Sequence, residues 1–274
     1  MRLPADCHLH SCHSGDSDAP MNEVIESAIS KGLDAMCFTD HMDMDYPDVP
    51  DIPEDKFILN TKKYLDDFNS QYAKYSERIN LLWGVELGMQ PHIASENSHY
   101  VHKYPFDFVI ASNHLCNRRD PFFPSFYEGR SEGSAIREFF ESTYKNLTLF
   151  NDYDVLGHLD YIVRYLPSGN GSYSYSDHLE ILDAILEHLI KQKKGLDVNT
   201  KALYSGMDET NPGSEVLKRY KEMGGTIITF GSDAHKSENV AECFETAAKM
   251  AMECGFKGYY TFVKREPLFH HFHI

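Results

Sequence analysis

His8 and His10 form a His-Leu-His pair that closes the first apolar segment of the chain. Ligand-type residues recur in the same setting five more times, at Asp40-His41, Glu86, His114, His158 and Asp233-Ala234-His235. One His-x-His says little, because alternate residues of any strand share a face. Ligand types at the ends of six apolar, strand-like runs are hard to explain as packing. Imidazole and carboxylate together suit zinc, iron or manganese, and open coordination positions mark a catalytic rather than a structural site. Cysteine enters only as the neighbours Cys7, Cys12 and Cys116, which argues against a closed thiolate site. A carboxylate among histidines can bridge two ions, and in two-metal hydrolases water between ions ~3.5–4 Å apart ionises near neutral pH. Glu86, within Trp-Gly-Val-Glu-Leu-Gly, is the natural bridge.

Such residues need a scaffold that gathers distant strand ends. The chain repeats strand, ligand, loop, helix. Residues 4–9 lead into His10. Residues 20–31 show helical spacing (Met21, Val24, Ile25, Ala28, Ile29), with Pro20 at the start and Gly32 past the end. A run over 33–39 enters Asp40-His41, and a Pro- and Asp-rich loop over 42–53 precedes a long helix from about 54 to 78. Strands follow at 81–87 with Glu86 and at 106–112 ahead of His114. A helix over 134–150 leads to a short strand at 155–158, and a helix over 177–194 takes Asp177 or Ser176 as its cap. Residues 196–198 enter Asn199-Thr200, a helix spans 212–223, and a strand at 226–230 precedes Gly231-Ser232-Asp233. A last helix, 239–254, and a possible eighth strand, 259–263, complete the chain.

Sustained alternation of this kind implies parallel strands covered by helices. A doubly wound sheet would line its ligands along one crevice. Six separate ligand-bearing ends favour an α/β barrel, whose C-terminal strand ends converge on one rim. No G-x-G-x-x-G or Walker fingerprint is present. With no repeat, low-complexity tract or linker, residues 1–274 read as one domain.

Composition narrows the partners. A net charge of -16, from 26 basic and 42 acidic residues, argues against long nucleic acid, whose binding rests on Lys and Arg neutralising phosphates. A small phosphorylated metabolite remains compatible, because bound divalent ions make an acidic protein locally positive. The six cysteines form no C-x-x-C pair, and Cys7 and Cys37 lie in apolar runs where free thiols are usually buried. Pro4 and Asp6 interrupt any signal-like stretch, and no segment approaches the ~20 apolar residues of a membrane span. The expectation is a reduced, soluble, cytoplasmic protein.

The motifs His-Leu-His-Ser, Phe-Thr-Asp-His, Gly-Val-Glu-Leu, Ser-Asn-His, Gly-His-Leu-Asp and Gly-Ser-Asp-Ala-His closely resemble those of the polymerase-and-histidinol-phosphatase (PHP) superfamily, over the whole chain. The stretch from Asp120-Pro-Phe-Phe-Pro to Glu128-Gly-Arg-Ser131, and the Asn199-Thr200 strand end, resemble its stand-alone histidinol-phosphate phosphatases. The resemblance implies a distorted (β/α)7 TIM-like barrel with three divalent ions at the C-terminal rim of the strands. Carried over by motif, His8, His10, Glu86 and Asp233 would hold the first ion, and Glu86, His114 and His158 the second. His41, His235 and Asp16 would hold the third, with His13 the alternative to Asp16. The implied reaction is hydrolysis of a small phosphate monoester, foremost L-histidinol phosphate, in histidine biosynthesis. Asp233, His235 and His41 are the candidate proton donors to the leaving alkoxide. Arg164, six residues after His158, would grip the phosphate through its planar fork. Asn199, Lys201, Tyr204 and Arg118 are the further substrate-binding candidates. One departure stands out: the branch commonly carries Arg five residues after its Asn, where this chain has Tyr204. Lys201 offers a cation from another position, as a point charge without the fork.

Taken singly, each motif also has a bland reading: a polar strand end, a turn, a salt-bridge partner or a helix cap. Taken together, every coincidence would have to fall at a strand end of the same barrel. The remaining histidines read as ordinary: His92, His99, His102, His178 and His188 on helices, and His270, His271 and His273 in a tail that packs at the C-terminus. Trp83 reads as core, and Asp160 as a residue that orients a ligand imidazole. The loop carrying Arg118, Arg119, Arg130 and several aromatics is either a solvated loop or a lid over the substrate. Two alternatives to histidinol phosphate hydrolysis stay open: action on another small metabolite phosphate, nucleotide or short oligonucleotide, and a non-catalytic metal-binding barrel.

Overall fold

The computed structural model describes residues 3–47, 49, 52, 53, 55–169 and 173–272. Seven parallel strands pair in the order β1 (Ala5–Leu9), β2 (Ala35–Phe38), β4 (Asn80–Gly88), β5 (Phe108–Ser112), β6 (Val155–Leu156), β7 (Gly195–Asn199) and β8 (Ile228–Gly231). A two-residue strand β3 (His41–Met42) pairs with β4 beyond β2, setting His41 beside Glu86. Between β8 and β1 the ring closes through a parallel bridge of Leu9 with Ala234, where the Asp233 amide donates to the His8 carbonyl at 2.8 Å. Apart from the first residues of β2 and β4, every residue of these strands is buried, as a barrel with helices outside and packed side chains inside requires. The shell comprises α1 (Met21–Ser30), α2 (Thr61–Tyr75), α3 (Ala94–Lys103), α4 (Glu132–Leu149), α5 (Leu179–Lys191), the short α6 (Lys201–Tyr204), α7 (Ser214–Glu222) and α8 (Phe244–Glu253). The apolar stripe of α1 (Met21, Val24, Ile25, Ala28) faces the core. All six cysteines are free, with Cys7 and Cys37 buried, and Trp83 stacks on Phe106 in the core at 4.3 Å. No helix among the described residues is long and apolar enough to cross a membrane.

Four departures from the sequence expectation have a local reason. The helix expected from about residue 54 begins at Thr61, because Asn60 caps it by accepting from the Lys63 amide and the Phe57 carbonyl is taken by the Asp43 amide. Asp48, Pro50, Asp51 and Glu54 of that loop lie outside the described residues. Neither Asp177 nor Ser176 caps α5; both sit in a 3-10 turn over Tyr175–His178, and the Ser176 hydroxyl pairs with Ser174. The helix expected from 239 starts at Phe244, since Ala241 and Cys243 have positive φ and the Ala241 amide donates to Asp6. The would-be eighth strand, β9 (Gly258–Val263), stays outside the barrel and forms an antiparallel hairpin with β10 (Glu266–His271), which also takes up His270 and His271. His273 lies outside the described residues.

Candidate metal centre

The C-terminal strand ends bring the distant motifs to one point around Glu86. Its Oε2 lies 3.1 Å from His8 Nε2, 3.4 Å from His10 Nε2 and 3.0 Å from His41 Nδ1. Its Oε1 faces His114 Nε2 at 3.2 Å and His158 Nε2 at 2.9 Å, and accepts from the Ser112 hydroxyl at 2.6 Å. Asp233 Oδ1 sits 3.4 Å from His10 Nε2 and 3.4 Å from His235 Nδ1. The structure also brings in Asp16, whose carboxylate is 3.0 Å from His235 Nε2 and 3.7 Å from His41 Nε2. His13 turns the other way, to Asp67 at 3.1 Å. The rings of His41 and His235 lie 4.3 and 4.1 Å from that of His10.

Three backbone features make this crowding possible. Asp233 takes a left-handed φ of 51°, uncommon outside glycine and of the kind that clusters at functional sites. A side chain at Gly231 would place its Cβ 2.1 Å from the Cβ of His8, so only glycine lets β8 pass there. Gly88 likewise leaves room for Asp43, whose carboxylate oxygen would stand 1.9 Å from an added Cβ.

A cluster of this kind is either a hydrogen-bonded network or a set of ligands awaiting cations. His8 Nε2, His10 Nε2, His41 Nδ1 and Glu86 Oε2 are fully buried yet make no hydrogen bond, although they lie close together. Buried polar atoms are rarely left so, and each orphan costs ~1–3 kcal/mol. Four overlapping triads (His8-His10-Asp233, His8-Glu86-His158, His41-Glu86-His114 and His10-His41-His235) have ligand atoms close enough to share an ion. The cluster's charges are tightly coupled: against burial, carboxylates such as Glu86 hold His8, His41 and His114 above the ordinary imidazole value. Burial pushes Glu86 upward, but His8, His41 and His114 hold it well below the usual carboxylate range. Burial also acts to raise Asp233, and Lys201 and His8 overcome it. His10, buried beside His235 and His41, is held well below the ordinary imidazole value, which keeps it neutral and able to donate a lone pair. The residues fit divalent ions.

Residues outside the expected set orient these ligands. Asp197 Oδ2 lies 2.8 Å from His8 Nδ1, and Asp43 Oδ1 lies 2.7 Å from His114 Nδ1. Ser14 holds His10 Nδ1 at 2.9 Å and donates to Asp40, which also accepts the amide and hydroxyl of Ser11. Such partners fix the ring orientation of a ligand imidazole. Both aspartates left a faint signal. Asp197 is a charge within an otherwise apolar strand, and Asp43 follows His41 by the two-residue period of a strand.

Beside the cluster opens a cavity of about 410 Å³ whose wall includes Asp16, His41, His114, His158, Arg164, Lys201, Asp233 and His235. Arg164 is locked in place, donating to Asn211 at 2.6 Å, Asn199 at 2.8 Å and Asp233 at 3.2 Å. Lys201 Nζ sits 3.2 Å from Asp233 and 3.0 Å from His235 Nδ1. The other substrate-binding candidates are corrected by their surroundings. Tyr204 donates its hydroxyl to the carbonyls of Ser232 and Asp233, behind the site, and does not face the cavity. Arg118 is exposed and paired with Asp45. Asn199 spends its amide on Arg164, Asp233 and Lys201, so it positions rather than binds. Asp160 does not orient an imidazole: it accepts from Asn211 at 2.6 Å and from the Gly213 amide at 3.0 Å, and so supports Arg164 from behind. Nothing in the sequence pointed to Asn211, which a loop pairing with Asn199 delivers. The arginine loop is neither simply solvated nor free. Arg119 and Arg130 both reach Glu138 on α4, Arg130 lies over Phe126 at 4.0 Å, and Phe122 and Phe123 face the cavity.

The PHP domain model matches residues 6–201. A probable histidinol-phosphatase of Clostridium acetobutylicum is 31% identical over 252 residues, covering 92% of this chain and 94% of the relative. A histidinol-phosphatase of Lactococcus lactis is 31% identical over 258 residues, covering 94% and 93%. The crystal structure of histidinol phosphate phosphatase from Lactococcus lactis, complexed with zinc, L-histidinol and phosphate, superposes with a TM-score of 0.88 at 30% identity, covering 96% of this chain and 98% of that one.

Proposed function

The chain belongs to the PHP domain family, and on that premise we propose that residues 1–274 act as one metal-dependent phosphatase domain that hydrolyses L-histidinol phosphate to L-histidinol and inorganic phosphate. The observation that carries the reading is a cluster of four orphaned, buried ligand atoms that reaches, through His41, the wall of the cavity that Arg164 and Lys201 also line. A similar protein holds zinc, L-histidinol and phosphate together. The pathway served is histidine biosynthesis in the cytoplasm.

His8, His10, Glu86 and Asp233 would hold one ion, Glu86, His114 and His158 a second, and Asp16, His41 and His235 a third, each zinc, iron or manganese. When bound, the ions acidify water and neutralise charge on the phosphoryl oxygens. The chain's own residues do the rest. Arg164 presents a fork already fixed by Asn199, Asn211 and Asp233, so little entropy is lost when it clamps two phosphate oxygens. Lys201 adds a second cation at the same edge. Both nitrogens of His41 (Glu86 and Asp16) and both of His235 (Asp233 and Asp16) face carboxylates, so Asp233, His235 and His41 form one edge from which a proton returns to the leaving alkoxide.

The test is phosphate release from a panel of monoesters, with and without added Mn²⁺ or Zn²⁺. L-histidinol phosphate should give the highest kcat/KM among amino-alcohol, sugar and nucleotide monoesters, and chelation should abolish it. Faster turnover of a nucleotide or sugar ester would overturn the substrate assignment. No turnover of any ester by the metal-loaded protein would support a binding barrel instead.

A further inference from the structure

Asp6 has no exposed surface and lies two residues before His8, on the same face of β1. A buried carboxylate is costly unless hydrogen bonds satisfy it, and four donors converge on this one. Its Oδ1 accepts the Ser232 amide at 3.0 Å and the His8 amide at 3.3 Å. Its Oδ2 accepts the Ser232 hydroxyl at 2.6 Å and the Ala241 amide at 2.9 Å. Ser232 and Ala241 bracket the segment that carries Asp233 and His235. The chain also turns through left-handed backbone at each end of that segment, with φ of 51° at Asp233 and 53° at Ala241. Side chains disfavour this conformation, which persists where the surroundings impose it. At Ala241 the imposing contact is the residue's own amide on Asp6. At Asp233 it lies one residue earlier, in the doubly held Ser232. One carboxylate thus ties the strand of His8 to both ends of the segment of Asp233 and His235.

We propose that Asp6 is a positioning residue of the metal centre, clamping both ends of the 232–241 segment to β1 so that Asp233 and His235 meet His8 and His10 in a preformed site. The proposal rests on the metal-dependent phosphatase reading and deepens it. Asp6 reaches the centre through backbone amides and the Ser232 hydroxyl alone. An amide of the same shape cannot take its place. In Asp6→Asn one oxygen becomes an NH2 group, and either orientation sets that group against a backbone N–H, that of Ala241 on one side or those of Ser232 and His8 on the other. The Ser232 hydroxyl can turn to accept; the backbone donors cannot.

The experiment measures Zn²⁺ affinity of the full chain by competition with a chromophoric chelator, alongside the urea midpoint. Asp6→Asn should weaken Zn²⁺ binding by about 10–100-fold, the worth of groups that orient metal ligands. Phosphate release should return toward the wild-type kcat once Zn²⁺ is raised in step. A merely structural role would lower the urea midpoint and leave the affinity of the folded protein unchanged, and that result overturns the proposal. Ala241→Gly supplies a rescue, because glycine adopts a left-handed φ without help from Asp6. Added to Asp6→Asn, it should recover part of the lost affinity. Should Asp6→Asn fail to fold, Ser232→Ala removes the hydroxyl donor alone and should weaken Zn²⁺ binding several-fold; unchanged affinity there overturns the proposal too. Wild-type protein that binds no Zn²⁺ overturns the metal-dependent reading itself, and this proposal with it.

Discussion

At the N-terminal ends of β5 and β6, Asp107 and Asp154 hold the barrel together through carboxylates partnered within the chain. Asp107 accepts the amides of Trp83 and Lys264, each at 3.0 Å, while Asp154 accepts the Val109 amide at 2.8 Å and pairs with Arg265 at 2.5 Å. At the opposite ends of the same sheet, Glu86 leaves one oxygen without a hydrogen bond among three imidazoles. Both rims put charge where packing alone would want hydrocarbon. On the lower rim Asp107 and Asp154 tie the β9–β10 hairpin to the strands, so their use is stability. On the upper rim the unpartnered oxygen of Glu86 works against the free protein and is useful to something that binds. The same residue types thus separate by whether their partners belong to the chain.

The sharpest way to break this comparison is Glu86→Gln, which keeps the shape and removes the charge that the surrounding imidazoles face. Metal ions supply several kcal/mol to the transition state, so losing their shared ligand should lower kcat/KM on the order of 1000-fold or more. Mass spectrometry should find metal depleted to match. Full activity with full metal content would end the bridging role. Asp197→Asn asks whether the upper rim extends behind its ligands. It removes the charge behind His8 Nδ1, and such partners are worth ~10–100-fold in metal affinity or activity. Metal titration followed by phosphate release measures it.

The lower rim answers to a different assay. Arg265→Met leaves Asp154 buried with one lost partner. Removing half of a buried pair is strongly destabilising, and the partial exposure of Arg265 trims the expected loss to about 2 kcal/mol. The urea midpoint should fall while kcat per folded molecule holds. A variant of normal stability and impaired turnover would mean that the two rims are not separable.

What the sequence disclosed follows the same division. Strand ends were legible because a ligand type after an apolar run breaks both strand and helix patterns, and Glu86 and Asp233 stood out on those grounds. Helix starts were misjudged where backbone groups bond across the fold: Phe57 to Asp43 ahead of α2, and Ala241 to Asp6 ahead of α8. Those partners are distant in sequence and leave no local trace. Tyr204 and Asp160 fared likewise. Their positions lie beside the site, but their orientation depends on which loop packs against them. Residue type announces chemistry, whereas direction is a property of the closed ring.

Asp160 tests how far the upper rim's organisation reaches, because it touches no candidate ligand atom. It accepts from Asn211 Nδ2, whose other end, Oδ1, accepts from Arg164 Nε; the carboxylate therefore sets which way the Asn211 amide faces. In Asp160→Asn, an amide must replace a group that accepts from both Asn211 and the Gly213 amide. One of the two contacts then becomes donor against donor, or Asn211 flips and turns its own donor on Arg164. Either way the guanidinium loses its fixed aim, while the imidazoles around Glu86 keep their partners. Losing one hydrogen bond to a charged group is worth about 1.5 kcal/mol, so KM for the phosphate ester should rise roughly 10-fold. Metal content should stay normal, and inhibition by inorganic phosphate should weaken in step with KM, since both read the same fork. A fall in metal content without a change in KM would instead place Asp160 among the supports of the metal ligands.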